Sequence, residues 1–339
     1  MKLIYKIILV FALSANVIFA QQSDVEKGID LYKQGNNQAA ISLLEKLSKQ
    51  KTTKNEVKVW NYLGLAYIEK GDLKKARKAL EKADGLSPQN SAVKTNLGYA
   101  YLLSNKINNA QLQLDEAIKL EPKNFLAYYI RGTSFLWEKK YDPALIDAEK
   151  SITLQAIFSS AYTLKADILM AQFGQKIANG STARAELDFL RRAIETLENC
   201  IKNCQLANSQ PQQEKLESLK VFYEYFSKNK ASSADLNTSA DEKIVPPTEA
   251  NTTSLRILSK PRPSYTDKAR QAGISGTIRL LVLFGANGKI QNIITVSGLG
   301  YGLDEQAIKA ARGLTFEPAT ENGKPVSVVK TVMFTFTIY

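Results

Sequence analysis

The chain has 339 residues, with 45 Lys and Arg against 33 Asp and Glu and no histidine. A hydrophobic content of 44% is enough for packed cores, while the missing histidine removes His-based triads and most zinc sites. The net charge of +12 is spread along the chain, with no Arg-rich run, stacking-aromatic motif or helix-turn-helix signature, so nucleic acid is excluded as a partner.

At the start, Lys2 and Lys6 precede an apolar run through Ile7 to Ala12, and the chain turns polar at Gln21 and Gln22 after Phe19 and Ala20. A basic start, an apolar stretch and a small residue at the break predict a signal peptide over residues 1–20 and export across one bilayer. If residues 1–20 stay attached, they are about long enough to act as an N-terminal membrane anchor. No cysteine stands near residue 20, which excludes a lipoprotein anchor.

A repeat follows. Gly64, Gly98 and Gly132 fall 34 residues apart, as do Tyr67, Tyr101 and Phe135, and Ala76, Ala110 and Ala144. Pro88 and Pro122 close two of the units, and Gly28, Leu31, Ala40, Leu44 and Leu47 fit one unit earlier. This spacing resembles the tetratricopeptide repeat. It predicts an all-α solenoid over 21–226, with four clear repeats at about 21–158 and a divergent repeat and cap to 226. The segment from Gly174 to Ser181 is expected to separate the two helices of the divergent repeat, the second running from about Thr182 to Cys204. The resemblance implies a groove on the first helix of each pair, with Lys58, Asn61, Tyr99, Tyr129 and Trp137 facing a peptide or protein client.

Cys200 and Cys204 are the only cysteines and sit one helical turn apart, a spacing that makes a bridge strained. No Gly-rich phosphate loop and no paired carboxylates accompany them, so the sequence predicts neither an enzyme nor a cofactor. Residues 227–254 are rich in Ser, Thr, Asn, Asp and Ala and include Pro246 and Pro247, the composition of a flexible linker.

The last segment, 255–339, holds eleven Lys and Arg against five Asp and Glu. Ile278, Leu280, Val282 and Phe284 alternate with Thr277, Arg279, Leu281 and Leu283, predicting a strand with one apolar face and a second that is partly so. Asn287 and Gly288 turn the chain into a second strand, Ile290 to Val296. Asp304 offers an N-cap to a helix lined by Ala307, Ile308 and Ala311. Val328, Val332, Phe334, Phe336 and Ile338 then share one side of a terminal strand, with Lys330 the polar exception. The prediction is a small α+β domain, a three-stranded antiparallel sheet with one helix, whose terminal strand is an edge able to accept an extended peptide.

Pro261 to Tyr265, Ala269 to Gly273, Gly276, Phe316 to Ala319 and Gly323 to Val326, in that order, make this segment resemble the C-terminal domain of the TonB family. The resemblance implies a periplasmic energy transducer in TonB-dependent transport, binding an outer-membrane receptor or another periplasmic protein by strand addition. It points to Tyr265, Arg270, Lys330, Val332, Phe334 and Phe336 as partner-binding residues. A typical TonB protein also has a membrane helix with a histidine that engages the ExbB and ExbD motor, a long Pro-rich rod, and Gln-Tyr-Pro before the first strand. This chain has no histidine and no rod, and Ser264-Tyr265-Thr266 keeps the tyrosine alone, which weighs against direct motor coupling. The alternative is a scaffold for envelope assembly that transduces no energy.

Overall fold

The computed structural model describes residues 24–204, 210–229, 236 and 252–338, so the predicted signal peptide and most of the predicted linker lie outside the described residues. The chain divides into two compact units, one ending at Ile130 and the other beginning at Arg131, a boundary inside the helical repeats.

The first unit is a run of helices: α1 (24–33), α2 (Asn37–Lys49), α3 (Val57–Glu69), α4 (Leu73–Leu86), α5 (Ser91–Leu103), α6 (Ile107–Leu120) and the start of α7 (Phe125–Trp137). Short polar side chains start several of them: Asn36, Asp72, Asn90 and Asn124 each accept the backbone N–H three residues on. Asn124 also donates to the hydroxyls of Ser91 and Thr95 at 2.8 and 2.9 Å, tying the start of α7 to α5. The glycines at the 34-residue spacing serve packing. A Cβ at Gly64 would stand 2.5 Å from Leu80 Cγ, and one at Gly98 would stand 2.7 Å from Leu114 Cγ. Helices of a pair therefore approach more closely than any side chain would allow. Ala66, Ala76, Leu80 and Ala100 are buried in the core they enclose.

The second unit continues with α8 (Tyr141–Leu154), α9 (Ser159–Ala178), α10 (Leu187–Asn203) and α11 (Gln210–Lys228). It then forms β1 (Arg256–Ser259), α12 (Asp267–Ala272), β2 (Gly276–Phe284), β3 (Ile290–Ser297), α13 (Leu303–Arg312), β4 (Thr315–Glu317), β5 (Ala319–Glu321), β6 (Lys324–Val326) and β7 (Val328–Phe336). The main sheet is three-stranded and antiparallel in the order β3-β2-β7, with β1–β4 and β5–β6 as two small ladders beside it. The predicted all-α repeats followed by a small α+β domain are therefore present.

Two details differ from expectation. Helix α9 runs unbroken through Gly174 to Ala178, and α10 starts at Leu187. The reason for the glycine is proximity to the sheet: a Cβ at Gly174 would lie 2.5 Å from the carbonyl oxygen of Val296 on β3. The sheet is also covered on both faces. Ile278, Leu280, Val282 and Phe284 pack with Val332, Phe334, Phe336 and the α13 residues Leu303, Ala307 and Ala311. On the opposite face Leu281, Leu283, Ile294, Val296 and Val329 pack with Phe173, Leu190, Phe222 and Phe226 from α9, α10 and α11. The near-continuous apolar run of β2 follows from burial on both sides.

Cys200 and Cys204 are free and buried, with Sγ atoms 3.1 Å apart at the end of α10. Burial pushes the Cys200 thiol up to about 12, which leaves it protonated and unreactive at neutral pH.

Candidate partner-binding surfaces

Strand β7 pairs with β2 along its whole length, Gly276 opposite Phe336 through Phe284 opposite Val328, and occupies one edge of the sheet. Backbone groups alternate in direction along a strand, so each residue on β7 faces either β2 or the open side. The side chain of Tyr225 on α11 settles which. Its hydroxyl donates to the Ser327 carbonyl at 3.4 Å and accepts the Val329 N–H at 3.3 Å, so odd-numbered residues turn outward. The next odd residue, Thr331, is buried and donates its hydroxyl to the Leu236 carbonyl. Met333 and Thr335 follow as the outward-facing stretch nearest the end of the strand.

This alternation corrects the predicted contact residues. Val332, Phe334 and Phe336 are 0–3% exposed, their side chains lie in the core under α13, and their backbone groups belong to the ladder with β2. Lys330 shares their parity and is half-buried. Tyr265 is also engaged internally: its hydroxyl donates to the Ile274 carbonyl and its ring meets Phe336 edge-on at 6.0 Å. The Arg270 guanidinium lies 5.8 Å from that ring and pairs with Asp267 at 3.2 Å.

Of the predicted groove residues, Trp137 has a different task. Its ring stacks on Tyr301 with centroids 4.4 Å apart, and its indole nitrogen lies 3.0 Å from where a Cβ of Gly300 would be. It thus packs against the turn before α13. That turn is held in left-handed backbone at Gly300, Tyr301 and Gly302, with φ of 70°, 57° and 77°. Asp304, expected to cap its own helix, instead accepts the N–H groups of Leu299 at 2.9 Å and Gly300 at 3.0 Å, while Gly302 stands at the N-cap.

Burial of Asp304 pushes its carboxyl up to about 6 despite these two bonds. Its folded-state value is raised above the unfolded one, so its contribution to stability is full below about pH 4 and is lost as pH rises through about 6. The loss is expected to be about 2–3 kcal/mol. Urea denaturation followed by Trp137 fluorescence in a Trp60→Phe background checks it; a pH slope unchanged by Asp304→Asn would refute the assignment.

In the first unit, Lys58 is exposed and its ammonium is 2.8 Å from the Glu26 carboxylate, each group favouring the charged form of the other. Asn61 accepts the Asn96 side-chain amide at 2.9 Å. These two predicted anchors therefore already have partners. Tyr99 and Tyr129 are half-buried and near each other, and burial, with Tyr129, Glu69 and Tyr32 close by, pushes Tyr99 up to about 12. Sequence reasoning missed Tyr32, Tyr62 and Glu69, which join this cluster. The signal available for them was position: each lies on the first helix of a repeat, as Tyr99 and Tyr129 do.

Residues 261–338 match the Gram-negative bacterial TonB protein C-terminal family. Residues 25–91 and 67–131 match two tetratricopeptide repeat families. The crystal structure of MamA protein is similar at 23% identity over 56% of this chain and 97% of that one, with a TM-score of 0.44. A thermophilic TPR protein of Thermus thermophilus is similar at 16% identity over 61% of this chain and 98% of that one, with a TM-score of 0.45. No curated protein matches. Among the described residues no helix is long and apolar enough to cross a membrane. The chain joins tetratricopeptide repeats to a TonB-type C-terminal domain, two kinds of protein-interaction module in one polypeptide.

Proposed function

We propose that this is an exported, periplasmic adaptor of TonB-dependent transport. The repeats recruit a protein segment, and the C-terminal domain accepts an extended strand from an outer-membrane receptor. The observation that carries this reading is the edge position of β7, with Met333 and Thr335 facing outward. An extended peptide completes backbone hydrogen bonds at such an edge. The start of the chain, with Lys2, Lys6 and the apolar run to Ala20, supports export. A photo-crosslinking residue at Met333 or Thr335 in living cells is expected to capture the periplasmic segment of an outer-membrane receptor, while one at Glu305 on α13 does not. Adducts to cytoplasmic proteins would refute the exported reading.

A second reading, a scaffold for envelope assembly without energy transfer, is favoured by one observation. Within the second unit the sheet packs on α9, α10 and α11 through Gly174 and the Leu281 face, which fixes the C-terminal domain on the last helices of the same unit. Crosslinks from position 333 to soluble periplasmic proteins alone would favour it.

A further inference from the structure

In the first unit the two polar groove residues, Lys58 and Asn61, are both engaged within the chain. A pair such as Lys58 and Asn61 suits a carboxylate ligand, but Lys58 is paired with Glu26 and Asn61 is bonded to Asn96. Beside them lie four tyrosines from successive first helices, Tyr32 on α1, Tyr62 on α3, Tyr99 on α5 and Tyr129 on α7, each near another member of the set. All four are half-buried, and Tyr32 and Tyr62 meet edge-to-face with centroids 5.6 Å apart. Glu69, the last residue of α3, is exposed and has no ion pair among the described residues. Burial raises the hydroxyl pKa of both Tyr32 and Tyr99, and the Glu69 carboxylate is close enough to add to it. The hydroxyls of Tyr32, Tyr62 and Tyr99 make no hydrogen bond among the described residues.

Tyrosine faces attract a cation through the ring quadrupole, and a nearby carboxylate supplies the counter-charge. Hydroxyl oxygens lacking an internal partner accept N–H donors, and guanidinium offers five of them in a plane. An anionic ligand would meet Glu69 unscreened. Glu69 thus places an exposed carboxylate without an internal partner among these rings, in a chain of net charge +12. We propose that Tyr32, Tyr62, Tyr99, Tyr129 and Glu69 form a receptor for a basic side chain, arginine or lysine, of an extended client segment. This rests on the reading of the repeats as a peptide-recruiting array and specifies which peptide.

The test uses the full chain, with hexa-arginine and hexaglutamate peptides, both acetylated and amidated so that neither contributes terminal charges. Calorimetric titration is expected to show saturable binding of hexa-arginine and none of hexaglutamate. Glu69→Gln and Tyr99→Leu should each weaken hexa-arginine about tenfold, and Lys58→Gln should not. Because Glu69 is exposed, its substitution leaves the fold intact. Binding of hexaglutamate in preference to hexa-arginine, weakened by Lys58→Gln, would overturn the cation site while leaving a peptide-binding array in place. Binding of neither peptide would overturn both. Hexa-arginine binding that is indifferent to Glu69→Gln and Tyr99→Leu would place it elsewhere and overturn the site.

Discussion

Replacing Gly174 by alanine is expected to loosen the C-terminal sheet from α9, whereas the same change at Gly85 stabilises the protein. Both glycines lie inside helices, so each gains about 1 kcal/mol of helix propensity from the methyl group. Around Gly85 nothing lies within 4 Å of the added carbon, and that gain stands alone. At Gly174 the carbon would meet the Val296 carbonyl oxygen at 2.5 Å and Val296 Cβ at 2.7 Å. A backbone oxygen in a sheet cannot rotate away as a side chain can, so the helix and the sheet must part. Overpacking of this kind costs about 1–3 kcal/mol, and the larger part of that range applies where backbone meets backbone. Gly174→Val should be worse still. The contrast is read by urea denaturation of the three variants and by limited proteolysis, in which a fragment beginning near residue 252 should appear sooner for the Gly174 variants. A Gly174→Ala protein as stable as Gly85→Ala would refute the close approach.

Proline substitution along β7 should separate residues that hold the sheet from residues that face a partner. Val332 is fully buried and its N–H belongs to the ladder with β2. Val332→Pro therefore removes a ladder bond and disturbs the packing under α13, at a cost of about 3 kcal/mol or more. Met333 points its N–H to the open side, so Met333→Pro is tolerated as edge-strand prolines are, and the melting temperature should fall by only a few degrees. Partner capture at position 335, however, should drop about tenfold or more, because β7 loses the N–H that would donate to a carbonyl of the incoming strand and the ring stands in that strand's way. Thermal melts and photo-crosslinking on the same two variants decide the matter. Equal loss of stability in both would show that the alternation runs the other way, and unchanged capture by a folded Met333→Pro protein would argue against strand addition.

Much of the architecture was legible because packing imposes residue types at fixed intervals. Gly64 and Gly98 had to be small where Leu80 and Leu114 cross them, and the period-two pattern of β7 announces which side chains enter the core. Side-chain parity, though, says nothing about which neighbour a strand's backbone faces, so Val332, Phe334 and Phe336 read as contact residues until Tyr225 reveals the open side. Gly174 resembles a helix breaker because sequence cannot distinguish a glycine that bends a chain from one that admits another chain. Repeat position alone puts Trp137 in a groove, yet Tyr301, distant in sequence, claims its ring. Lys58 similarly reads as a free anchor, since its partner Glu26 is 32 residues away.

The Tyr225 hydroxyl at Ser327 and Val329 has a consequence for handling the protein. Together with Leu236 it occupies the first half of an edge that would otherwise be open over the nine residues of β7. A fragment cut to start at about residue 252 loses α11 and with it this covering, and it uncovers Leu281, Leu283, Ile294, Val296 and Val329 as well. A long bare edge beside an apolar face is a template for pairing with another copy. Such a fragment will self-associate or aggregate in solution. Any dimer seen for it reports the missing helices rather than the oligomeric state of the intact chain.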